Sequence, residues 1–307
     1  MIYTITFNPA IDYTIKVENF TVGNTNRCYE EYLQSGGKGI NCAIILTRLG
    51  IKTITSGFLA TNNNELILQK LKEENILANF ILIKGMVRIN VKIKSDQETE
   101  VNARGPLVIA SDWEAFIKQA SDYHSDDFVV ISGNLANGMD QAQLKQFLEI
   151  LNERQVKFSL DINSDSLKHC LSYQPLLIKP NLAELQQLCN KKLITDSQII
   201  TAAKLLQQQG VHNVLVSLGK KGSIYITSDN EVYRVSAAEG LLINSVGAGD
   251  SMLAGFIASY FVNKKSIEDS LKMAAACGAA TSFTKWLATA QDIEKLIPLI
   301  KVERLKK

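Results

Sequence analysis

The chain lacks the residues that staple small folds or hold metal clusters. Its five cysteines, Cys28, Cys42, Cys170, Cys189 and Cys277, are odd in number, scattered and without a CxxC pair, and the histidines His124, His169 and His212 are equally isolated. This argues against a disulfide framework and a structural zinc centre, and reads the cysteines as small buried apolar residues in a reducing cytosol. Excess charge is missing as well: 33 Lys and Arg against 31 Asp and Glu leave +2. Such a balance offers no footprint for nucleic acid or an anionic membrane, so charge recognition has to be local. No apolar run is long enough to cross a bilayer; the longest weakly polar stretch is 251–262. The first residues carry no basic flank and meet Asp12 early, so a cytoplasmic protein without a signal peptide is expected.

What is present is an ordinary globular composition, 46% hydrophobic and 21% charged over 307 residues. A chain of this size buries roughly 75% of its unfolded surface. Apolar strand patterns at 3–7, 52–57, 128–131, 156–160, 176–178 and 214–217 alternate with amphipathic helical patterns. Those helices fall at 41–49, 65–74, 141–152, near 251–262 and at 267–283. Continuous apolar strands joined by helices predict one α/β domain over 1–307, its mostly parallel sheet covered on both faces. Residues 13–34 and 87–103 break the rhythm with apolar–polar alternation, which marks strands with one wet face. They are expected to form a small antiparallel sheet that serves as a surface flap, a lid or a dimer contact.

The sharpest chemical signal is Ser245-Val246-Gly247-Ala248-Gly249-Asp250, just before an apolar helix. Two glycines let the backbone aim several N–H groups at one point, and the helix adds the positive end of its dipole. The product is an anion hole suited to phosphate. The same dipole is expected to keep Asp250 ionised. A carboxylate beside a phosphate cradle repels its ligand, but it has a use as the base for an attacking hydroxyl in phosphoryl transfer. The alternative is a helix N-cap after a glycine turn. A dinucleotide fingerprint fails because Met252 stands where a third glycine is needed, and a P-loop fails because Gly37-Lys38 is followed by Gly39.

Four further segments are candidates. Gly36-Gly37-Lys38-Gly39-Ile40-Asn41 is a bare turn that can approach a polyol, with Asn41 for a hydroxyl and Lys38 for a phosphate, or else a plain loop-to-helix junction. Asp12, after the first strand, can accept two sugar hydroxyls or serve as a turn residue. Lys179-Pro180-Asn181-Leu182-Ala183-Glu184 reads as a capping arrangement or as an Mg²⁺ site at Asn181 and Glu184, the latter acting through water. Ser217-Leu218-Gly219-Lys220-Lys221-Gly222 suits a nucleotide phosphate or a solvated hairpin turn.

With Thr6-Phe7-Asn8-Pro9-Ala10-Ile11-Asp12 at the start, these motifs in this order resemble the ribokinase-like sugar kinases of the PfkB family. The resemblance covers nearly the whole chain and is greatest to the branch acting on ketohexose phosphates such as fructose 1-phosphate or tagatose 6-phosphate. It implies a three-layer α/β/α fold with a small β-sheet lid, and a homodimer through the lids. It implies ATP on the side of Ser217–Gly222, Lys179, Asn181 and the turn Gly247, Ala248, Gly249, with Mg²⁺ and with Asp250 as base. Asp12, Gly37, Lys38 and Asn41 are then expected at the sugar, and Arg27 and Arg88 at the substrate and its phosphate. Three cations, Arg27, Lys38 and Arg88, call for a phosphorylated acceptor rather than ribose or a nucleoside. A sensor that binds without turnover is the non-enzymatic alternative. Three features depart from the family pattern: a glycine-poor loop expected after Gly57, a 132–138 segment without prolines, and Arg104, expected to face water.

Overall fold

The computed structural model describes residues 1–305. Ten strands form the central sheet. In spatial order they are β14 (Val302–Leu305), β13 (Val232–Val235), β12 (Ser223–Ile226), β11 (Asn213–Ser217), β10 (Leu177–Ile178), β9 (Lys157–Ile162), β8 (Phe128–Gly133), β1 (Ile2–Thr6), β4 (Thr53–Asn62) and β5 (Leu77–Met86). Every pair from β5 to β11 is parallel, and the three pairs from β11 to β14 are antiparallel.

Alternation along the strands builds two cores. Phe128 and Val130 join the apolar cluster on one face, with side chains from α1 (Lys38–Arg48), α2 (Glu65–Glu73), α8 (Ala248–Phe256), α9 (Ile267–Ser282) and α10 (Ala290–Leu296). Val129 and Ile131 join the other, with α3 (Ala110–Ala120), α4 (Gln141–Glu153), α5 (Ser164–Leu167), α6 (Leu182–Cys189) and α7 (Asp196–Gln208). The side-chain period of two sends successive residues to opposite faces, which is why the strands read as unbroken apolar runs. Two cores around one sheet make the three layers anticipated from the sequence. Among the described residues no helix is long and apolar enough to cross a membrane.

The alternating stretches form a separate four-stranded sheet, β3 (Cys28–Gly36), β2 (Ala10–Val17), β6 (Arg88–Lys94) and β7 (Thr99–Asn102) in that order. It is not wholly antiparallel as expected, because β2 and β6 pair in parallel. The reason lies in the chain's path. β1 and β5 run the same way in the large sheet, and each crosses through a short connection into β2 and β6. Asp12 consequently lies within a strand rather than in a turn.

The stretch after Gly57 is also not a loop: β4 continues to Asn62, paired with β5. Gly57 has φ +121°, and a Cβ there would stand 2.1 Å from the Thr6 carbonyl oxygen of the neighbouring β1. Gly57→Ala therefore meets both a forbidden backbone and a clash, and is expected to cost more than about 2 kcal/mol in a urea melt. A variant as stable as the parent would show that β1 and β4 can part at this point.

Candidate active site

The parallel strands end around a cavity of about 680 Å³ roofed by the small sheet. Thr6, Ser132, Gly133, Lys179 and Ser217, all at or just past the C-terminal ends of strands, line its floor. That edge of an open α/β sheet is where backbone amides and loop side chains converge on ligands.

Gly247, at φ +80°, is the N-cap of α8, and Asp250 is the third residue inside the helix, not its cap. The N–H and Oγ of Ser251 both donate to the Gly247 carbonyl at 2.8 Å. Of the amides that precede Ser251 at the helix head, that of Ala248 donates to the Ser245 carbonyl at 3.4 Å, while those of Gly249 and Asp250 have no carbonyl one turn back to bond. A side chain at Gly249 would stand 3.0 Å from Lys179 Nζ, so only a bare backbone leaves room beside that ammonium.

Asp250 is 5% exposed. Its Oδ2 accepts from Asn41 Nδ2 at 2.8 Å, and Cys42 Sγ donates to its backbone carbonyl at 3.5 Å. Burial pushes its carboxyl up to about 6, with the Asp161 charge adding to the effect; Lys38, the Asn41 amide and Lys179 pull the other way. A value near 6 leaves the carboxyl mostly ionised at neutral pH, as expected at a helix head, but desolvation brings it far closer to neutrality than an ordinary aspartate.

Asp161, at the end of β9, is buried and accepts from Lys38 Nζ at 3.2 Å, with Lys179 Nζ 3.4 Å away. Burial alone would raise it; Lys179 and Lys38 hold it below the usual carboxylate range. Burial works against the Lys38 charge too, but Asp161, Asp250 and Glu184 together push it above the usual lysine range. Two lysines share one close carboxylate, which leaves positive charge beside the α8 turn.

At the roof, Asp12 accepts from Asn90 Nδ2 at 2.9 Å and Lys92 Nζ at 3.2 Å. Arg88, half-buried on the same face, donates through Nε to the Asn8 carbonyl at 3.0 Å. Burial lowers its pKa, with Asp12 in partial opposition. Among the described residues Arg88 has no carboxylate within salt-bridge distance, so it faces the cavity offset only from further off by Asp12, whose contact partner is Lys92.

The structure brings Asp12, Gly37, Lys38, Asn41, Arg88, Lys179, Asn181, Glu184, Ser217, Leu218, Gly219, Gly247, Gly249 and Asp250 to this one cavity. Others stay out. Arg27 is exposed and outside the cavity of its own chain; Lys220 and Lys221 point to solvent from a 3-10 turn, and neither Gly222 nor Ala248 lines the wall. The Asn181–Glu184 pair forms the capping box: Glu184 Oε2 accepts from the Asn181 amide at 2.8 Å and Asn181 Oδ1 from the Glu184 amide at 2.9 Å. That leaves Glu184 Oε1 as the oxygen not committed to backbone. Arg104 is exposed, as expected, and only its carbonyl is used, by Asn8 Nδ2.

Asn90, Lys92 and Asp161 belong to none of the candidate motifs, and Ser132, Gly133 and Asn134 of the 132–138 segment also line the cavity. Two signals were there: Arg88, Asn90 and Lys92 alternate on one strand face, and Asp161 directly follows an apolar strand pattern.

The pattern of the pfkB family carbohydrate kinases matches residues 5–292. The chain belongs to this family, a sugar phosphotransferase with ATP as phosphoryl donor. It is 35% identical to the 1-phosphofructokinase of Bacillus subtilis over 306 residues, 99% of this chain and 100% of that one. It is 33% identical to the D-tagatose-1-phosphate kinase of Bacillus licheniformis, again covering 99% and 100%. Its fold is that of phosphofructokinase-2 from Escherichia coli in complex with substrates and products, with TM-score 0.91, 24% identity, and 97% and 98% of the two chains covered.

A carboxyl raised in the folded state to about 6 from 3.8 favours folding less as pH rises. Its ionisation costs nothing below the unfolded value and accumulates as pH climbs through 4 to 6. Asp250→Asn, which keeps an acceptor for Asn41, is therefore expected to be more stable than the parent at pH 8, by up to about 3 kcal/mol. Melting curves should converge toward pH 4; a variant less stable at pH 8 would contradict a desolvated carboxylate.

Proposed function

We propose that the chain transfers the γ-phosphoryl group of ATP to the C6 hydroxyl of fructose 1-phosphate, forming fructose 1,6-bisphosphate and ADP. The observation that carries this reading is the spacing of charge in one cavity. Arg88 stands at the roof without a salt-bridge partner, where an acceptor's own phosphate needs one, while Lys38 and Lys179 sit with the α8 turn and Asp250 at the floor. Asp12, with Lys92 and Asn90 holding both its oxygens, keeps lone pairs for sugar hydroxyls. The 1-phosphofructokinase of B. subtilis, alike over the full length, supports the choice of acceptor.

Asp250 orients the attacking hydroxyl and takes its proton as the new O–P bond forms and the bond to ADP breaks. Lys38, Lys179 and the α8 amides stabilise the charge on the transferring oxygens. Closure of the small sheet over the cavity excludes water and limits idle ATP hydrolysis. The donor set also suits Mg²⁺: among the described residues no cluster of three or more metal-ligating side chains exists, so a site here needs phosphate oxygens and water besides Glu184 Oε1. When bound, Mg²⁺ supplies charge neutralisation to the triphosphate. A tagatose phosphate acceptor is the second reading, favoured by the likeness to the B. licheniformis kinase. Its ring differs at one hydroxyl, and selection between the two falls to whichever cavity group meets that hydroxyl. A cytoplasmic location fits either acceptor.

The small sheet turns a second face away from the cavity. Leu33, Tyr13, Val91 and Val101 stand side by side across its four strands, with Leu33 53% and Val101 58% exposed. We assign this face to a homodimer contact with the same face of a second copy, in line with the family resemblance.

Two tests follow. ADP release assayed with fructose 1-phosphate, fructose 6-phosphate, the tagatose phosphates and ribose should rank fructose 1-phosphate first. Asp250→Asn should bind ATP normally and lose about 10²-fold or more in kcat, and the parent's kcat/KM should fall on the acid side of a pKa near 6. Turnover by the variant at the parent's rate would remove Asp250 as the base. For the dimer, Val91→Asp should sediment as a monomer where the parent sediments as a dimer; a monomeric parent would discard the contact.

A further inference from the structure

Arg48 lies in the last turn of α1, the helix whose first turn carries Lys38 and Asn41 into the cavity. It is a charged side chain largely removed from water, at 17% exposure, yet it touches none of the cavity. Its guanidinium makes four hydrogen bonds. Nε and Nη2 donate to the two oxygens of Glu74 at 3.1 and 2.5 Å, and Nη1 donates to the carbonyls of Leu287 and Ala288 at 2.6 and 2.9 Å. The Trp286 ring lies 5.4 Å from its Cζ and 4.6 Å from Lys70 Nζ, which also pairs with Glu74 at 2.8 Å.

The turn held in this way, 283–289, reaches the head of α8 by two routes. Leu287 is buried behind Gly247, where an added Cβ would come within 2.7 Å of its Cδ2. The second route is a file of donors. The Ala288 amide donates to Thr281 Oγ1 at 3.2 Å, Thr281 and Ser251 hydroxyls are 2.8 Å apart, and Ser251 Oγ donates to the Gly247 carbonyl at 2.8 Å. Asn244 Nδ2 adds a bond to the Lys285 carbonyl at 3.3 Å, tying in the strand of chain that leads to the turn.

We propose that Arg48 is a positioning residue for the α8 anion hole, acting from outside the cavity by clamping the 283–289 turn against Gly247. The inference rests on the kinase reading above. Only a planar fork can meet a carboxylate and two carbonyls at once; a lysine ammonium keeps the charge but cannot span the three. The two ends of α1 thereby act in different ways: its first turn puts side chains into the cavity, and its last turn holds the backbone that receives the transferring phosphate. Since misplacing a catalytic backbone by a fraction of an ångström costs rate, release of the clamp should be read on the nucleotide and not on the sugar.

The test compares Arg48→Lys and Glu74→Gln with the parent. The readouts are steady-state kinetics in each substrate and amide hydrogen exchange of the ligand-free proteins. Arg48→Lys is expected to lose about tenfold or more in kcat/KM for ATP while KM for the sugar phosphate stays within about twofold. Exchange should quicken at 245–251 as well as at 283–289. Glu74→Gln, which leaves the two carbonyl bonds in place, should show the same pattern more weakly, and it carries the comparison alone if Arg48→Lys does not fold. Faster exchange confined to 283–289 with parental kinetics would overturn the proposal, as would a rise in KM for the sugar phosphate equal to that for ATP. A parent inactive on every sugar would instead sink the kinase reading, and exchange at 245–251 would still decide whether Arg48 braces the turn.

Discussion

Asp250 has almost no contact with bulk water, yet as the proposed base it must ionise to accept a proton, and the surroundings of the cavity floor answer that conflict. Full desolvation of a lone carboxylate would leave it neutral at physiological pH. An amide from Asn41 and the ammonium groups of Lys38 and Lys179 bring it partway back, while Asp161 limits how far. The outcome is an acid poised just below neutrality, which is where a general base transfers protons most effectively. The groups that set this balance come from α1, from β9, from the loop after β10 and from α8, so the carboxyl's acidity is a property of the assembled sheet and helices.

That assembly depends on strands that are short, apolar and parallel. Because β1, β8, β9, β10 and β11 all end at the same edge, residues 6, 132, 161, 179 and 217 converge although they are spread over most of the chain. The small sheet is an outgrowth of the same strands. β1 passes into β2 after three residues and β5 into β6 after one, so the roof is tied directly to the floor, with Asp12 the third residue of β2 and Arg88 the first of β6. Motion of the roof against the floor needs bending only at these two crossings, a mechanical arrangement suited to closing over a small polar ligand and reopening.

The glycine turns and the buried ion pairs serve the same end by different means. Gly247 adopts a backbone that side chains resist, and that conformation alone exposes the α8 amides. Charge is arranged so that each lysine of the floor has a carboxylate within reach without being neutralised by a private one. Buried ion pairs of this kind seldom add much stability, since desolvation offsets their attraction; in the proposed reaction their use is to keep cationic side chains pointed at the place where phosphate arrives.

The layers and most elements were legible in the amino-acid order, because unbroken apolar strands and 3.6-residue helical patterns report local geometry and local burial. So were the two glycine turns, Asp250, Asp12, Lys38 and Asn41, each of which sits in a short motif whose chemistry is local. Pairing direction was not legible: alternation at 87–94 shows a strand with one wet face but not which neighbour it takes, and β6 runs parallel to β2. Lys92, Asp161 and Arg48 carry no motif at all. Asp250's acidity likewise depends on groups more than 70 residues away, and so does the exclusion of Arg27, Lys220 and Lys221 from the cavity depend on tertiary placement. Sequence by itself determined what the backbone does over a few residues and therefore the family; tertiary structure decided which charges meet, because Coulomb forces and desolvation act through space and not along the chain.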